Sequence, residues 1–336
     1  MAATRSRPRN HPIARTVVLG LAASALYTYY REIRDAWRRP PARRFVEVRG
    51  TRLHYIDIGA GPPVVLLHGT GGATADFETS GLAERLSRDH RVVIFDRPGY
   101  GYTRRPRGRR WTPQAQAALI AEACGQLLVQ RPIVIGHSWG ALVALALAIS
   151  QPAAVRGLVL ISGPYFPRLR ADALAAVPLA VPIVGEILSR TVAPLIARFV
   201  APRLVKKIFA PNSTPSRFDS EFPLQLAFRP SQLLAAADET LQTMTAPITL
   251  QRYYDEIEVP VALFAGAEDG MVDVNHALRL QERLPHSELH VLSGVGHMPH
   301  HFAVDELAET VERMAPSALP NAAAEGAKAE RASHPH

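Results

Sequence analysis

Cysteine is almost absent from this chain of 336 residues. The single Cys124 excludes an intramolecular disulfide framework. It lies in an alanine-rich, helix-forming stretch from Ala115 to Leu128, which predicts a small buried core residue. No group of cysteines and histidines has the spacing of a zinc motif. The sequence therefore predicts a fold without disulfides and a protein without a metal or another cofactor.

Long hydrophobic runs are equally scarce. Near the N-terminus, residues 16–30 form an uncharged, mostly apolar run, which is short of the roughly 20 residues that a transmembrane helix needs. Arginines flank it, and Tyr27, Tyr29 and Tyr30 are typical of an interfacial anchor. We expect membrane association through this helix. Two alternatives remain open: a signal peptide cleaved near Ala23-Ser24-Ala25, which gives a secreted protein, and a helix packed on the folded body of a cytoplasmic one.

Most of the chain also lacks an excess of either charge. The formal net charge is +8, but residues 1–45 alone hold ten arginines against Glu32 and Asp35. The remaining residues balance to zero, so we expect no nucleic-acid partner. A second arginine cluster at residues 104–110 has only Trp111 beside it and predicts a solvated loop.

Short apolar runs recur along the body of the chain and predict eight strands. They lie at residues 45–48, 53–58, 64–67, 92–95, 133–135, 158–161, 261–264 and 289–292. Arg49-Gly50-Thr51 predicts a hairpin between the first two. The runs from residue 64 to residue 264 are apolar throughout, as in strands buried on both faces of a parallel sheet. Helical stretches separate most of them, so the fold class is α/β.

The spacing of these runs predicts the domain organisation. Residues 165–254 carry no strand signal and are too many for a loop, so we expect a helical insertion over the sheet, that is, a cap. The core then comprises residues 45–164 and 255–316, after a basic segment at 1–44 with a short hydrophobic helix. Residues 317–336 have almost no large apolar side chain and predict a disordered tail.

The motif Gly136-His137-Ser138-Trp139-Gly140 stands between a strand run and a helix-forming run. A G-x-S-x-G sequence in this setting predicts a nucleophile elbow, a turn so tight that side chains at the two glycine positions would collide. A serine hydroxyl needs a base and a group that orients the base. The motif therefore predicts a base and an orienting group elsewhere in the chain.

Two loops after late strands supply these groups. Asp269 follows the strand run at 261–264, with Asp273 as an alternative acid, and His297 lies in a glycine-rich loop after the last strand. We expect the backbone N–H groups of Thr70 and Trp139 to hold an oxyanion. The Thr70 hydroxyl could add a further donor.

These motifs resemble the α/β-hydrolase superfamily in its serine-nucleophile, esterase- and lipase-like branch with a cap. The matching segments are His68-Gly69, Asp96-Arg97-Pro98-Gly99-Tyr100-Gly101, the serine motif, Gly266-Ala267-Glu268-Asp269 and Gly296-His297. The resemblance implies Ser138 as nucleophile, Asp269 as acid and His297 as base. It also implies that Asp96–Gly101 is a structural turn. The loop residues His68, Gly69 and Gly71 are predicted to contribute to substrate binding, while His68 and His137 also have a structural interpretation.

The predicted activity is hydrolysis of carboxylic esters with apolar acyl groups, including lipid-like ones, through an acyl-enzyme. A small-molecule ester is then the expected partner. The same triad serves a carbon–carbon bond hydrolase, an amidase or proline iminopeptidase, and a cofactor-free perhydrolase, and the sequence does not separate them. A non-catalytic binding protein is a further alternative. Serine at position 138 argues against the haloalkane dehalogenases and epoxide hydrolases, which use aspartate there.

Overall fold

The computed structural model describes residues 12–38, 44–168, 173–284 and 286–315. Within them, eight strands form one sheet in the order β1-β2-β4-β3-β5-β6-β7-β8. The strands are β1 Phe45–Val48, β2 Thr51–Ile58, β3 Pro63–Leu67, β4 Arg91–Phe95, β5 Ile133–His137, β6 Gly157–Ile161, β7 Val261–Gly266 and β8 Glu288–Leu292. Each predicted run forms a strand within two residues of its expected bounds.

The sheet is parallel from β4 to β8, and only the β1–β2 and β2–β4 pairs are antiparallel. Successive side chains of a strand point to opposite faces, and here both faces are buried. Val65 and Leu67 of β3 pack into one apolar layer, and Val64 and Leu66 pack into the other. This two-sided burial explains why the central strands are apolar throughout, and it confirms the α/β fold class.

Helices cover both faces of the sheet and connect its parallel strands. They are α1 Pro12–Arg38, α2 Thr74–Thr79, α3 Leu82–Leu86, α4 Pro113–Gln126, α5 Trp139–Ser150, α6 Ala173–Ala180, α7 Val184–Arg190, α8 Ala193–Phe209, α9 Ser216–Glu221, α10 Pro230–Gln242, α11 Thr245–Leu250, α12 Asn275–Arg283 and α13 Val304–Met314. Cys124 on α4 is buried, as predicted, and its burial raises the pKa of the thiol to about 12.

The segment predicted to be the cap contains only helices and turns among its described residues. Helices α6, α7, α8 and α10 pack on one another. The last part of the segment behaves differently, because Leu250 of α11 and the following Tyr254 join the apolar core beside α5. The outer limits of the cap therefore stay a prediction.

Helix α1 is longer than the hydrophobic run that predicted it, and one of its faces contacts the cap. Ser24 Oγ donates to Thr191 O at 2.6 Å, Arg198 donates to Tyr27 Oη at 3.1 Å, and Thr28 is buried. No single helix among the described residues is both long and apolar enough to cross a bilayer. The pair α6 and α7, bent by 103°, reaches the required length and composition only when taken together. The predicted tail at 317–336 lies outside the described residues.

Candidate active site

The serine motif forms the predicted elbow between β5 and α5. Ser138 has φ 51° and ψ −115°, a strained backbone conformation for a residue with a side chain. A Cβ at Gly136 would lie 2.5 Å from Gly140 O, and a Cβ at Gly140 would lie 2.1 Å from Leu67 O. Both positions therefore require glycine, and the tight turn exposes part of Ser138 at the carboxyl edge of the sheet.

Three side chains from three loops at this edge form a continuous hydrogen-bonded chain. His297 Nε2 lies 3.1 Å from Ser138 Oγ, and His297 Nδ1 lies 2.7 Å from Asp269 Oδ2. A carboxylate only accepts, so Nδ1 carries the proton and Nε2 presents its lone pair to the hydroxyl. The arrangement is that of a nucleophile, a base and a group that orients the base.

Asp269 is held in its ionised form. Burial acts to raise the pKa of its carboxyl, which is 1% exposed, but the electrostatic attraction and hydrogen bond of the His297 imidazole oppose burial, and the pKa is lowered. The backbone N–H groups of Val272 and Met271 add to this by donating to Oδ1 at 2.9 and 2.7 Å. The alternative acid Asp273 instead accepts from the backbone N–H of Asn275 at the start of α12. The structure thus brings Asp269, and not Asp273, to the histidine.

The backbone of His297 is fixed from two sides, which the sequence did not indicate. Its N–H donates to Ile208 O at the end of cap helix α8, at 3.0 Å. Its carbonyl accepts from His137 Nε2 at 2.9 Å. A Cβ at Gly296 would lie 1.9 Å from Ala210 O, so the close approach of the cap requires this glycine. The base is therefore positioned jointly by the cap and by the residue before the nucleophile.

The loop after β3 lies directly against the serine. A Cβ at Gly69 would stand 3.1 Å from Ser138 Cβ, and Gly71 has φ +80°. Thr70 lies between these two glycines, and Trp139 occupies the first position of α5, where N–H groups lack a helical partner. The oxyanion role of their N–H groups stays a prediction. The Thr70 hydroxyl donates to Glu239 Oε2 at 2.7 Å, so its proton is not free for an oxyanion.

His68 is fully buried and orders this loop. Its Nδ1 donates to Gly69 O at 2.8 Å, and its Nε2 accepts from the backbone N–H of Arg97 at 3.0 Å. Burial, together with the charge of Arg97, lowers the pKa of His68 to about 4. Both ring nitrogens are occupied within the protein. These contacts support the structural interpretation of His68, whereas its contribution to substrate binding stays a prediction.

A buried ion pair connects the cap to this loop. Glu239 of cap helix α10 is fully buried and accepts from Arg97 Nη1, from Tyr100 Oη at 2.7 Å, and from Gln116 Nε2 at 3.2 Å, besides Thr70. Arg97 Nε in turn donates to His68 O at 2.7 Å. Burial acts to raise the pKa of Glu239, but the charge and hydrogen bonds of Arg97 outweigh burial and lower it. Nothing in the local sequence around Glu239 marks it, because all its partners are distant in the chain.

The segment Asp96–Gly101 is a structural turn, as predicted. The buried Asp96 carboxylate accepts from His54 Nδ1, from the Thr74 N–H and from the Tyr102 N–H, at 2.7 to 2.9 Å. A Cβ at Gly101 would lie 2.0 Å from this carboxylate, and Gly101 also has φ +51°. The turn therefore joins β2, α2 and the arginine loop beneath the site.

The arginine loop is not simply solvated, which corrects the prediction from its composition. Arg105 pairs with Asp238 of α10 and donates to Pro98 O at 3.0 Å. Arg107 pairs with Glu186 of α7 at 2.6 Å. The arginines thus bind the loop to the cap.

A cluster of histidines around one carboxylate lies behind the triad, and its members are distant in the sequence. Asp76 of α2 is buried with His137 and His300, and the side chain of His301 is 1% exposed. Oδ1 of Asp76 lies 3.1 Å from His301 Nε2 and 3.3 Å from His300 Nε2, while Oδ2 lies 3.7 Å from His137 Nδ1. Burial acts to raise the pKa of Asp76, but His300 and His301 outweigh burial and hold it well below its usual range.

Known proteins share this fold. 2-Hydroxy-6-oxo-2,4-heptadienoate hydrolase of Pseudomonas putida is 30% identical over 76% of this chain and 89% of its own length. Among solved structures, a thermophilic esterase from Thermogutta terrifontis aligns with a TM-score of 0.67 at 20% identity, covering 80% of this chain and 97% of its own. The enol-lactonase from Burkholderia xenovorans aligns at 0.66 and 18% identity, covering 81% and 99%.

These likenesses extend over most of the described sheet and cap. A family model for the alpha/beta hydrolase fold matches residues 62–304, which include the elbow, both downstream loops and the segment predicted to be the cap. The relatives are hydrolases by name. The chain therefore belongs to the α/β-hydrolase fold family and is a hydrolase.

Proposed function

We propose that this hydrolase cleaves carboxylic esters through an acyl-enzyme formed on Ser138. The observation that carries the proposal is the hydrogen-bonded chain from Asp269 through His297 to Ser138. A serine hydroxyl becomes a useful nucleophile when such a base removes its proton during attack. The elbow also directs the N-terminus of α5 to the same point, where the positive end of the helix favours a developing negative charge.

In this mechanism Ser138 Oγ attacks the ester carbonyl while His297 Nε2 takes its proton. The carbonyl oxygen becomes an oxyanion held by the N–H groups of Thr70 and Trp139. Asp269 stabilises the imidazolium, which then protonates the leaving alcohol. Water activated by His297 attacks the acyl-enzyme and releases the acid. The cap influences each step, because it holds the backbone of His297 and the side chain of Thr70.

The test uses p-nitrophenyl esters of increasing acyl length with the full chain and with Ser138→Ala. We expect the variant to lose essentially all turnover and to lose labelling by a fluorophosphonate probe. Circular dichroism should show that it folds, since serine to alanine removes only one oxygen at a partly exposed position. Full activity in Ser138→Ala, or a wild-type chain that the probe does not label, would contradict the proposal.

Hydrolysis of a carbon–carbon bond in a vinylogous diketone is the second candidate. The relative that hydrolyses 2-hydroxy-6-oxo-2,4-heptadienoate supports it through its sequence identity over most of this chain. The same Ser138, Asp269 and His297 would serve, but the leaving group would be a carbanion instead of an alkoxide. Comparing kcat/KM for such a diketone with that for the best ester separates the two. An ester value that is much the smaller would favour the second candidate.

We further propose that the enzyme works at an anionic membrane surface, which it contacts with α1 and the outer face of the cap. Apolar side chains are exposed here in unusual number. Six large ones are exposed on α1 and twelve between residues 174 and 204, against six in the rest of the described chain. A contiguous exposed apolar region of this kind is typical of an interaction site.

The charge of this region favours anionic lipid. Cap residues 173–209 include the basic residues Arg190, Arg198, Arg203, Lys206 and Lys207, but only Glu186 is acidic. Basic side chains around an apolar face attract anionic head groups while the apolar side chains enter the lipid. A surface of this composition matches an ester-bearing lipid as substrate.

Flotation with vesicles tests this proposal. We expect the full chain to bind vesicles containing phosphatidylglycerol, to bind neutral phosphatidylcholine vesicles less, and to dissociate as salt rises. Phe199→Ser, on the exposed cap face, should weaken binding, whereas Leu278→Ser, an exposed leucine on α12, should not. Equal binding by Phe199→Ser and wild type, or no binding of the full chain to anionic vesicles, would refute the membrane contact.

A further inference from the structure

We infer that Asp76, His137 and His300 form a binding site for a divalent transition-metal ion directly behind the catalytic triad. One ligand atom from each of these buried residues lies within 4.8 Å of the other two. They come from α2, from the residue before the nucleophile, and from the turn after the catalytic histidine. The site is separate from the reacting atoms, and it does not depend on which bond the enzyme cleaves.

The hydrogen bond of His137 determines which of its nitrogens can be a ligand. Nε2 lies 2.9 Å from the His297 carbonyl oxygen, which can only accept. Nε2 therefore carries the proton. Nδ1 then has a free lone pair, and no protein group donates to it among the described residues.

This lone pair faces a carboxylate. His137 Nδ1 and Asp76 Oδ2 are 3.7 Å apart, and both are acceptors. His300 is fully buried, and its two nitrogens lack an aligned hydrogen bond, although Nε2 lies 3.3 Å from Asp76 Oδ1. Two acceptors as close as His137 Nδ1 and Asp76 Oδ2 in a buried site repel one another unless a cation lies between them. The cluster thus has the electrostatics of a metal site.

The distances suit an ion better than a water molecule. The nitrogen–oxygen separations of 3.3 Å to Oδ1 and 3.7 Å to Oδ2 are both shorter than two zinc–ligand bonds of about 2.05 Å laid end to end, so each nitrogen can share an ion with the nearer carboxylate oxygen. A water donating to both Nδ1 and Oδ2 would need them about 4.4 Å apart. A Cβ at Gly69 would lie 2.9 Å from Nδ1, so that glycine keeps the space beside the ligand atom open.

The surrounding hydrogen bonds also match those of known metal centres. Histidine ligands almost always donate their second nitrogen to a carbonyl or carboxylate, and ligating carboxylates are themselves hydrogen-bonded. His137 donates to the His297 carbonyl, and Asp76 accepts from His301 Nε2 at 3.1 Å. Two imidazoles and one carboxylate favour zinc and its neighbours over magnesium or calcium. A bound ion would hold His137 in the tautomer that fixes the backbone of the catalytic histidine.

The experiment measures zinc binding by the full chain after treatment with a chelator, by calorimetry and by elemental analysis of the dialysed protein. We expect one tightly bound Zn²⁺ per chain. In Asp76→Asn and His300→Gln the affinity should fall by more than the roughly 100-fold that loss of an outer hydrogen-bond partner costs. His290→Gln is the matched control, because His290 also pairs with a carboxylate, Glu306, but lies outside the cluster.

Thermal unfolding provides a readout that is independent of activity. Zinc should raise the Tm of wild type and of His290→Gln, since it binds only the folded chain, and should leave the Tm of His300→Gln unchanged. If His300→Gln does not fold, Asp76→Asn takes its place in the comparison. Absence of zinc binding by wild type, or equal binding by the cluster variants and His290→Gln, would overturn the inference.

Discussion

The cap buries charged side chains on the face that contacts the core and exposes apolar side chains on its outer face, which is the reverse of an ordinary globular protein. On the inner face, Glu239 and Arg97 are fully buried and their charges are paired and hydrogen-bonded. On the outer face, Phe199 is 78% exposed and many other apolar side chains accompany it. In the sheet below, by contrast, the apolar residues are inside.

The forces that stabilise the sheet therefore differ from those that attach the cap to it. Apolar burial on both faces stabilises the sheet. The cap is bound to it by a small apolar cluster of Phe209, Phe218 and Met298 and by directional contacts. The directional contacts are the ion pair of Glu239, the ion pairs of the arginine loop, and the hydrogen bond from His297 to Ile208. Directional contacts specify position more narrowly than apolar burial does. They suit a cap that must place the base and the oxyanion loop.

The largest expected effect is a loss of turnover when the acid of the triad, which lies in the core and not in the cap, is replaced. Asp269→Asn should lower kcat by about 10⁴-fold, because the amide no longer fixes the proton on His297 Nδ1. Asp273→Asn is the matched control, since Asp273 only accepts from the Asn275 N–H. Steady-state kinetics on the best ester measures both. Equal losses in the two variants would show that the acid has been assigned wrongly.

Removing the buried cap contact should have the next largest effect. Glu239→Ala leaves Arg97 buried without a counter-charge, which costs about 3–5 kcal/mol of unfolding free energy. Asp238→Ala, one residue earlier on α10, removes a partner that is 43% exposed and should cost about 0–1 kcal/mol. Urea unfolding gives both values. Similar costs for the two variants would mean that the inner face is not held by the buried pair.

The sequence predicts the core and the triad better than it predicts the contacts of the cap. The strands of the core were predicted because each is a short apolar run, and a run of that kind signals burial without reference to distant residues. Ser138, Asp269 and His297 were placed by their positions after such strands, and the structure brings them together. Local pattern therefore sufficed for most of the sheet and for the triad.

The contacts of the cap and of the cluster behind the triad could not be predicted in this way. Glu239 meets Arg97 across a separation of 142 residues, and His137 meets the His297 carbonyl across 160. Each looks like an ordinary helix or turn residue in its own neighbourhood. The prediction of a protein without a metal considered only ligands close in sequence, whereas Asp76, His137 and His300 converge only in the fold.

The titration of Glu239 on the inner face of the cap should have a smaller effect, on the pH dependence of the unfolding free energy. Because the pKa of Glu239 is lowered by Arg97, its ionisation stabilises the fold above the ordinary pKa of 4.5, and this contribution is lost as the pH falls through the lowered pKa. Glu239→Gln removes the titration. Below the ordinary pKa of 4.5, the unfolding free energy of the variant should fall less steeply with decreasing pH than that of wild type. The two slopes should differ by up to about 1.4 kcal/mol per pH unit. Parallel curves for variant and wild type between pH 2 and 5 would contradict this coupling.

The smallest expected effect belongs to the outer face, and it is the one on which the membrane proposal depends. Phe199→Ala should change the unfolding free energy by less than about 0.5 kcal/mol, because its ring is already in solvent. Phe264→Ala, in a fully buried strand, should cost about 3–5 kcal/mol. Denaturant unfolding without lipid compares the two. A cost above about 1 kcal/mol at Phe199 would mean that its ring packs within the protein in solution, and the outer face would then have a folding role. A near-zero cost, with vesicle binding lost, would assign the exposed apolar face to contact with lipid alone.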